Sequence, residues 1–313
     1  MKLVFMGTPD FAATSLTALL SSSHLVDLVI TQPDRPRGRG MKASESPVKV
    51  VAGRSSIRVA QPPSIADQGL VDSLRALDPD AIVVVAYGQK IPESILDMPR
   101  FGCINVHASL LPLYRGAAPI NRAIMDGQSR TGVTTMFMDK GWDTGDMILQ
   151  KPVDIGEHMN AGDLHDLLAE EGADLLVETL DLLEAGRAPR IPQDHARATM
   201  APKLRPEESR IDFTADAETV RNQVRGLTPY PGCYTMLDGA RLKVLQVRLC
   251  DDSAEDGEPG TVRTLPDSDS HGIAVYTGRG SIIIDTLQPE GSRPMSAGDF
   301  VNGYRIEVGQ RLG

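Results

Sequence analysis

The chain has 313 residues, 41% of them hydrophobic and 24% charged, a globular balance that excludes an intrinsically disordered polymer. Lys and Arg number 32 against 42 Asp and Glu, a formal net charge of −10, which excludes a uniformly basic surface but leaves room for a local basic patch. Three cysteines without a C-x-x-C pair exclude a disulfide framework and a cysteine zinc site.

No run approaches the ~20 apolar residues of a membrane span. The start MKLVFMGTPD breaks at Gly7, too early for a secretory signal, so a soluble cytoplasmic protein is expected, monomeric and without membrane contact. Leu3–Met6 reads as a buried strand. Thr8 and Pro9 suit the cap and first turn of a helix over Phe11–Leu20. A strand follows over Leu25–Thr31, a polar loop over Gln32–Ser46, and helical patterns from Pro47 and near Ile65–Leu77. The run Ala81–Ala86 is apolar at every position, so both faces of that strand must be covered, as in a parallel sheet between helices. The expected fold class is therefore α/β, a doubly wound, mostly parallel, Rossmann-like sheet with ligands at the carboxyl ends of its strands.

Two further strands, Cys103–His107 and Gly132–Met138, precede a long helix near Gly162–Glu184 with Leu on helical spacing and Gly186 as its C-terminal cap. The proline-rich stretch 189–206 reads as a linker, dividing a catalytic domain over 1–188 from a C-terminal domain over 207–313. In the latter, a helix near Asp216–Gly226 precedes short β-branched strands, with a hairpin signal at Asp238-Gly239. A small OB-like β-barrel is expected.

Two stretches carry the chemistry. Asn105 and His107 lie two apart on a strand and leave the same face, where buried polar groups must be satisfied or used. A hydrogen-bonded Asn and a core His explain the pair as well; its place at a carboxyl strand end turns the reading towards function. The second stretch, Met138–Asp146, holds Asp139, Asp143 and Asp146, two glycines and the single Trp, and is expected at the same edge of the sheet. Asp139 and Asp146 suit turn and solvent roles, whereas Asp143 can face His107 and make a proton-transfer element near neutral pH. Asn, His and Asp without a Ser or Cys nucleophile point to acyl or formyl transfer by direct attack of an amine. Asn105 and protonated His107 would hold the oxyanion, and Asp143 would orient the His. Ser109 lacks a G-x-S-x-G context. His158, His165 and His195 lack metal spacing, and neither a Walker A nor a G-x-G-x-x-G motif is present, so no metal, ATP or NAD is expected.

The string Asn105-x-His107-x-Ser109-Leu110-Leu111-Pro112-x-Tyr114-Arg115-Gly116, with Asp143-Thr144-Gly145 downstream, resembles the 10-formyltetrahydrofolate-dependent formyltransferases. Gly7–Phe11, Thr31–Pro36 and Gly38-Arg39-Gly40 resemble the branch of that family acting on initiator methionyl-tRNA; a sugar-nucleotide N-formyltransferase is the alternative. The resemblance implies Asn105, His107 and Asp143 as the catalytic trio and 10-formyltetrahydrofolate as formyl donor. It also implies folate contacts from Ser109, Leu110, Leu111, Pro112, Tyr87 and Gly88. Arg35, Arg37, Arg39 and Lys42 become a tRNA-contacting loop. Residues 187–248 hold 11 Lys and Arg against 7 Asp and Glu, so Lys203 and Arg205, with Arg221, Arg225, Arg241 and Lys243, are candidates for a basic track. Residues 249–313, with 5 against 11, depart from the basic C-terminal domain that the resemblance implies.

Overall fold

The computed structural model describes residues 1–37, 42–250, 257–264, 272–304 and 306–313. Two compact units emerge, one of Met1–Pro119, Arg130–Asp154 and His165–Ala201, the other of Ile120–Ser129, Ile155–Leu164 and Pro202–Gly313. In chain order the elements up to residue 201 are β1 (Lys2–Gly7), α1 (Asp10–Leu20), β2 (Leu25–Ile30), β3 (Arg35–Arg37), β4 (Lys42–Ser44), α2 (Pro47–Arg54), β5 (Arg58–Ala60) and α3 (Gln68–Leu77). Then come β6 (Ala81–Val85), α4 (Glu93–Leu96), β7 (Cys103–His107), β8 (Arg115–Gly116), α5 (Pro119–Met125), β9 (Arg130–Phe137), β10 (Met147–Asp154), α6 (Ala161–Glu184) and β11 (Met200–Ala201).

Seven strands form one sheet in the order β10-β9-β7-β6-β1-β2-β5. Strands β5, β2, β1, β6 and β7 run parallel; β9 and β10 close the edge antiparallel. Strand order reverses between β1 and β6, the switch point at which a parallel sheet opens a crevice. Every residue of β6 is buried, as its unbroken apolar run requires. One face packs Val4, Met6, Ile82 and Val84 against Val71 and Leu74 of α3 and Ile95 and Leu96 of α4. Against the other face α6 lies so close that a Cβ on Gly172 would come within 2.9 Å of Val106 and 3.2 Å of Val133. The α6 helix ends as expected, with Gly186 at φ +65° and Arg187 N–H donating back to Leu182 O.

Three local expectations need correction. Thr8 does not cap α1: its hydroxyl donates to Tyr87 O at 3.2 Å and accepts from Gln32 N–H, so it ties β1 to the loop after β6. The third helix begins at Gln68 rather than near Ile65, because Asp67 accepts Leu70 N–H and fixes the start. Most consequential, β9 is antiparallel to β7, pairing Phe137 with Ile104 and Thr134 with His107. The stretch 138–146 therefore leaves the sheet at the opposite end from His107.

The second unit carries α7 (Ala217–Leu227), β12 (Cys233–Leu237), β13 (Ala240–Leu249), β14 (Val262–Arg263), β15 (Ile273–Tyr276), β16 (Ser281–Pro289), β17 (Met295–Ser296) and α8 (Ala297–Tyr304). Its antiparallel sheet runs β12-β13-β16-β15-β14, with β17 added to β16, and curls in the OB-like manner expected. Asp238 and Gly239, at φ +50° and +80°, make the tight hairpin their sequence signalled. Val220, Val224 and Leu227 of α7 fill the core with Val244, Ile282, Ile284 and Phe300. Of the acidic stretch Asp251–Glu258, residues 251–256 lie outside the described residues.

Arg122 donates to both carboxylate oxygens of Glu208, and this hydrogen bonding holds the Glu208 carboxyl below its usual value of 4.5. A folded-state value below the unfolded one means that the pair's stabilisation is complete above about pH 4.5 and is lost as pH falls through the folded value. Glu208→Gln is expected to lower Tm at pH 7, and the gap to the parent protein should close as melts are repeated towards pH 3.

Candidate active site

Asn105 and His107 project from β7 towards the α3–α4 side of the sheet, since Val106 between them faces α6. His107 is buried, 6% exposed, at the carboxyl end of the strand. Its Nε2 lies 2.9 Å from Tyr114 O, and a carbonyl only accepts, so Nε2 carries the hydrogen. Nδ1 is then the nitrogen turned to Asp143, 3.7 Å from Oδ2, within ion-pair reach but longer than a hydrogen bond. The same Oδ2 accepts Gly116 N–H at 2.9 Å, which fixes the Asp143 carboxylate. Asn105 is half-buried, and its carboxamide makes no hydrogen bond among the described residues, which leaves its N–H donors unclaimed.

The two groups that bracket the imidazole come from strained backbone. Tyr114 and Asp143 have φ of +58° and +53°, and Ala86, at the end of β6, has +45°. Non-glycine residues in this region cost on the order of 1–3 kcal/mol each and persist only where surroundings over-determine them. Asp143 arrives by a reversal: Asp139 Oδ1 accepts Gly141 N–H and Thr144 Oγ1–H, and Gly145 presses against Phe137 O, where a Cβ would lie 1.9 Å away. Asp139 is thus the turn residue its sequence suggested, while Asp146 meets Arg190 at 3.5 Å.

The segment after β7 is pinned by one buried hydroxyl. Thr134 Oγ1 donates to Ser109 O at 2.6 Å and accepts from Leu111 N–H at 3.1 Å and Gln150 Nε2–H at 3.0 Å. Ser109 is fully buried and its hydroxyl donates to Leu113 O, so it is engaged in shaping the turn and not poised as a nucleophile. Leu110 lies over Gly132, Leu111 packs with Met136 and Met147, and Pro112 follows a cis peptide bond. Tyr87 is buried, which pushes its phenol up to about 12, and Gly88 adopts φ +90°. A cavity of about 700 Å³ lies behind the 138–146 turn, lined by Leu96, Met138, Thr144 and Gly145. None of the trio lines it.

Of the basic residues singled out, Arg35 is exposed and Arg37 and Lys42 pair as backbone partners in the β3–β4 ribbon; Arg39 lies outside the described residues. Arg221 and Arg225 do not join a basic track: the first pairs with Glu157 and Glu218, the second donates to Met159 O, Gly156 O and Asn222. Lys203 and Arg205 are exposed. Arg205, Lys243 and Arg241, the last stacked 3.6 Å over Tyr234, share a groove of about 330 Å³ with the exposed Tyr230. Sequence reading missed the roles of the Tyr114 carbonyl, the Gly116 amide and Thr134, although the Tyr114-Arg115-Gly116 string stood in view.

A buried imidazole facing a carboxylate at the carboxyl end of a strand in an α/β sheet, in a chain that goes on to a curled β domain, is an arrangement suited to group transfer. Residues 1–180 match the formyl transferase family, and residues 203–305 match the formyl transferase C-terminal domain, so the chain belongs to that family of formyl-transferring enzymes. It is 51% identical to a methionyl-tRNA formyltransferase of Geotalea daltonii and 50% identical to one of Desulforamulus reducens, covering all of this chain and 98% of each relative. Among solved structures it is similar in fold to the N-formyltransferase of Helicobacter canadensis in complex with folinic acid and dTDP-3-aminofucose. That match has a TM-score of 0.66 at 16% identity and covers 91% of this chain and 98% of that one. Likewise it matches HypX of Aquifex aeolicus in complex with tetrahydrofolic acid (TM-score 0.65, 18% identity), covering 98% of this chain and 48% of that longer one.

Removing the Thr134 hydroxyl tests the scaffold. Thr134→Val keeps the shape but leaves Leu111 N–H without its partner, so a loss of about 1–3 kcal/mol is expected in denaturant unfolding. Formyl transfer should fall with it.

Proposed function

We propose that the protein transfers the formyl group of 10-formyltetrahydrofolate to the free α-amino group of initiator methionyl-tRNA. The observation that carries this reading is full-length identity near 50% to proteins named for that acceptor. The site supplies chemistry suited to it. The donor's formyl carbon sits within reach of Asn105 and His107, and the amine nitrogen attacks it directly. The C=O π bond opens to a tetrahedral oxyanion held by the unclaimed Asn105 N–H and by the Nδ1–H that His107 carries when both its ring nitrogens are protonated. The attacking nitrogen loses its proton towards the Asp143 carboxylate. Collapse re-forms the carbonyl, breaks the bond to N10 of the folate, and returns a proton to that nitrogen.

In this reading the Ser109–Pro112 turn, with Tyr87 and Gly88, walls the donor cleft. Ser109 contributes through backbone shape, Leu110 and Leu111 through apolar surface. Arg35, Arg37, Arg39 and Lys42 meet the tRNA backbone, as do Lys203 and Arg205. The aromatic–basic groove of Tyr230, Tyr234, Arg241 and Lys243 suits RNA, in which guanidinium and ring faces stack on bases. Residues 1–188 form the catalytic domain, 189–206 the connection, and 207–313 the tRNA-contacting domain. The protein acts as a monomer in the cytoplasm, with no metal.

The deciding assay offers labelled 10-formyltetrahydrofolate with charged initiator methionyl-tRNA, and an amino-sugar nucleotide in a parallel arm. Label is expected in the tRNA arm only; label in the sugar arm alone would overturn the acceptor. His107→Ala should reduce turnover by about 10²-fold or more while leaving the chain folded and the tRNA Kd unchanged. Near-parental turnover would sink the proposed mechanism. The Lys203→Glu, Arg205→Glu double variant should raise KM for methionyl-tRNA and flatten its salt dependence without changing KM for the folate.

A further inference from the structure

The stretch 189–206 places one side chain in the site. Gln193 is 6% exposed, and its amide is used completely. Oε1 accepts from Arg115 Nε at 3.0 Å and Nη2 at 2.6 Å, while Nε2 donates to Asp143 O at 2.9 Å and Gly145 O at 2.7 Å. The amide cannot turn over, because its oxygen would then meet two carbonyl oxygens and its NH₂ the guanidinium. Arg115 is equally buried, donates also to His195 Nδ1 at 3.0 Å, and has no carboxylate within ion-pair distance among the described residues. A guanidinium shut away from water beside neutral partners is costly unless each N–H has an acceptor. Its presence therefore fixes which end of Gln193 faces the turn.

The gripped carbonyls belong to the turn that carries Asp143 at φ +53°. Arg115 and Gly116 are adjacent, so one short strand holds Asp143 twice: Gly116 N–H on its carboxylate, and Arg115 through Gln193 on its main chain. We propose that Gln193, oriented by Arg115, is a positioning residue for formyl transfer, holding the strained Asp143 turn so that its carboxylate faces His107 Nδ1. This rests on the reading of Asp143 as a catalytic group.

Gln193→Glu is the informative change. It keeps and strengthens the bond to Arg115, yet it removes both donors and turns an oxygen towards two carbonyls. Gln193→Asn, which keeps an amide acceptor for Arg115 but is one methylene too short to reach the Asp143 and Gly145 carbonyls at the same time, is the second variant should the first melt early. Single-turnover formyl transfer to methionyl-tRNA, with enzyme in excess, is measured for the parent, each Gln193 variant, Asp143→Asn, and the combinations. The loss of two hydrogen bonds predicts a fall in the transfer rate of about 10- to 100-fold, measured below the melting temperature of each variant, with an unchanged KM for the folate. In the Asp143→Asn background the same Gln193 change should cost nothing further. An equal loss in both backgrounds, or no loss in the parent, would overturn the proposal and leave the assignment of Asp143 standing. Parental rates for Asp143→Asn would remove that assignment and this proposal together.

Discussion

Everything at the site depends on a reversal. Because β9 runs antiparallel to β7, the chain leaves β9 beside Ile104, at the wrong end for His107, and must come back across the sheet face before β10 begins. The return is made by a turn in which Asp139 caps two donors and Gly145 touches the Phe137 carbonyl. It delivers Asp143 in a left-handed conformation to within 3.7 Å of the imidazole. A carboxylate placed this way is held by main-chain and side-chain bonds from elsewhere, not by its own local preferences. The Gly116 amide and the Gln193 amide supply two of those bonds.

Much of the fold was legible because its causes are local. The unbroken apolar run in β6 demanded cover on both faces, and the helices on either side supply it. Leu spacing marked α6, Gly186 its end, and Asp238-Gly239 a hairpin. The pair Asn105 and His107 was visible from period-two alternation alone. Asp143 was proposed opposite His107 for a sound chemical reason and a faulty geometric one. The parallel-sheet rule was extended to a strand that runs the other way, and strand direction at a sheet edge leaves no trace in periodicity.

What escaped was non-local or carried by main chain. The Tyr114 carbonyl and Gly116 amide have no side-chain signature, so no residue type announces them. Gln193 sits among prolines in a stretch without periodicity, and its partners are far away in sequence. Arg221 and Arg225 looked like free charge because a count cannot see Glu157, Glu218 or the carbonyls that occupy them. Charge totals report surface potential only where the side chains are unspent.

The pairing of β8 with β11 bears on how the enzyme comes into being. Tyr114, whose carbonyl orients His107, donates its N–H to Thr199 Oγ1, 85 residues further along, and Ala117 and Ala118 hang from Ala201 O. The parallel sheet is complete in sequence by Asp154, yet the peptide that aims the imidazole has no anchor until residues 199–201 arrive. At about 5–20 residues per second, the stretch from Asp154 to Ala201 takes several seconds to synthesise, and it brings both the covering helix α6 and the anchor of the Tyr114 peptide. The aim of the imidazole is thus set from the far end of the unit's sequence and not by the strand that carries it.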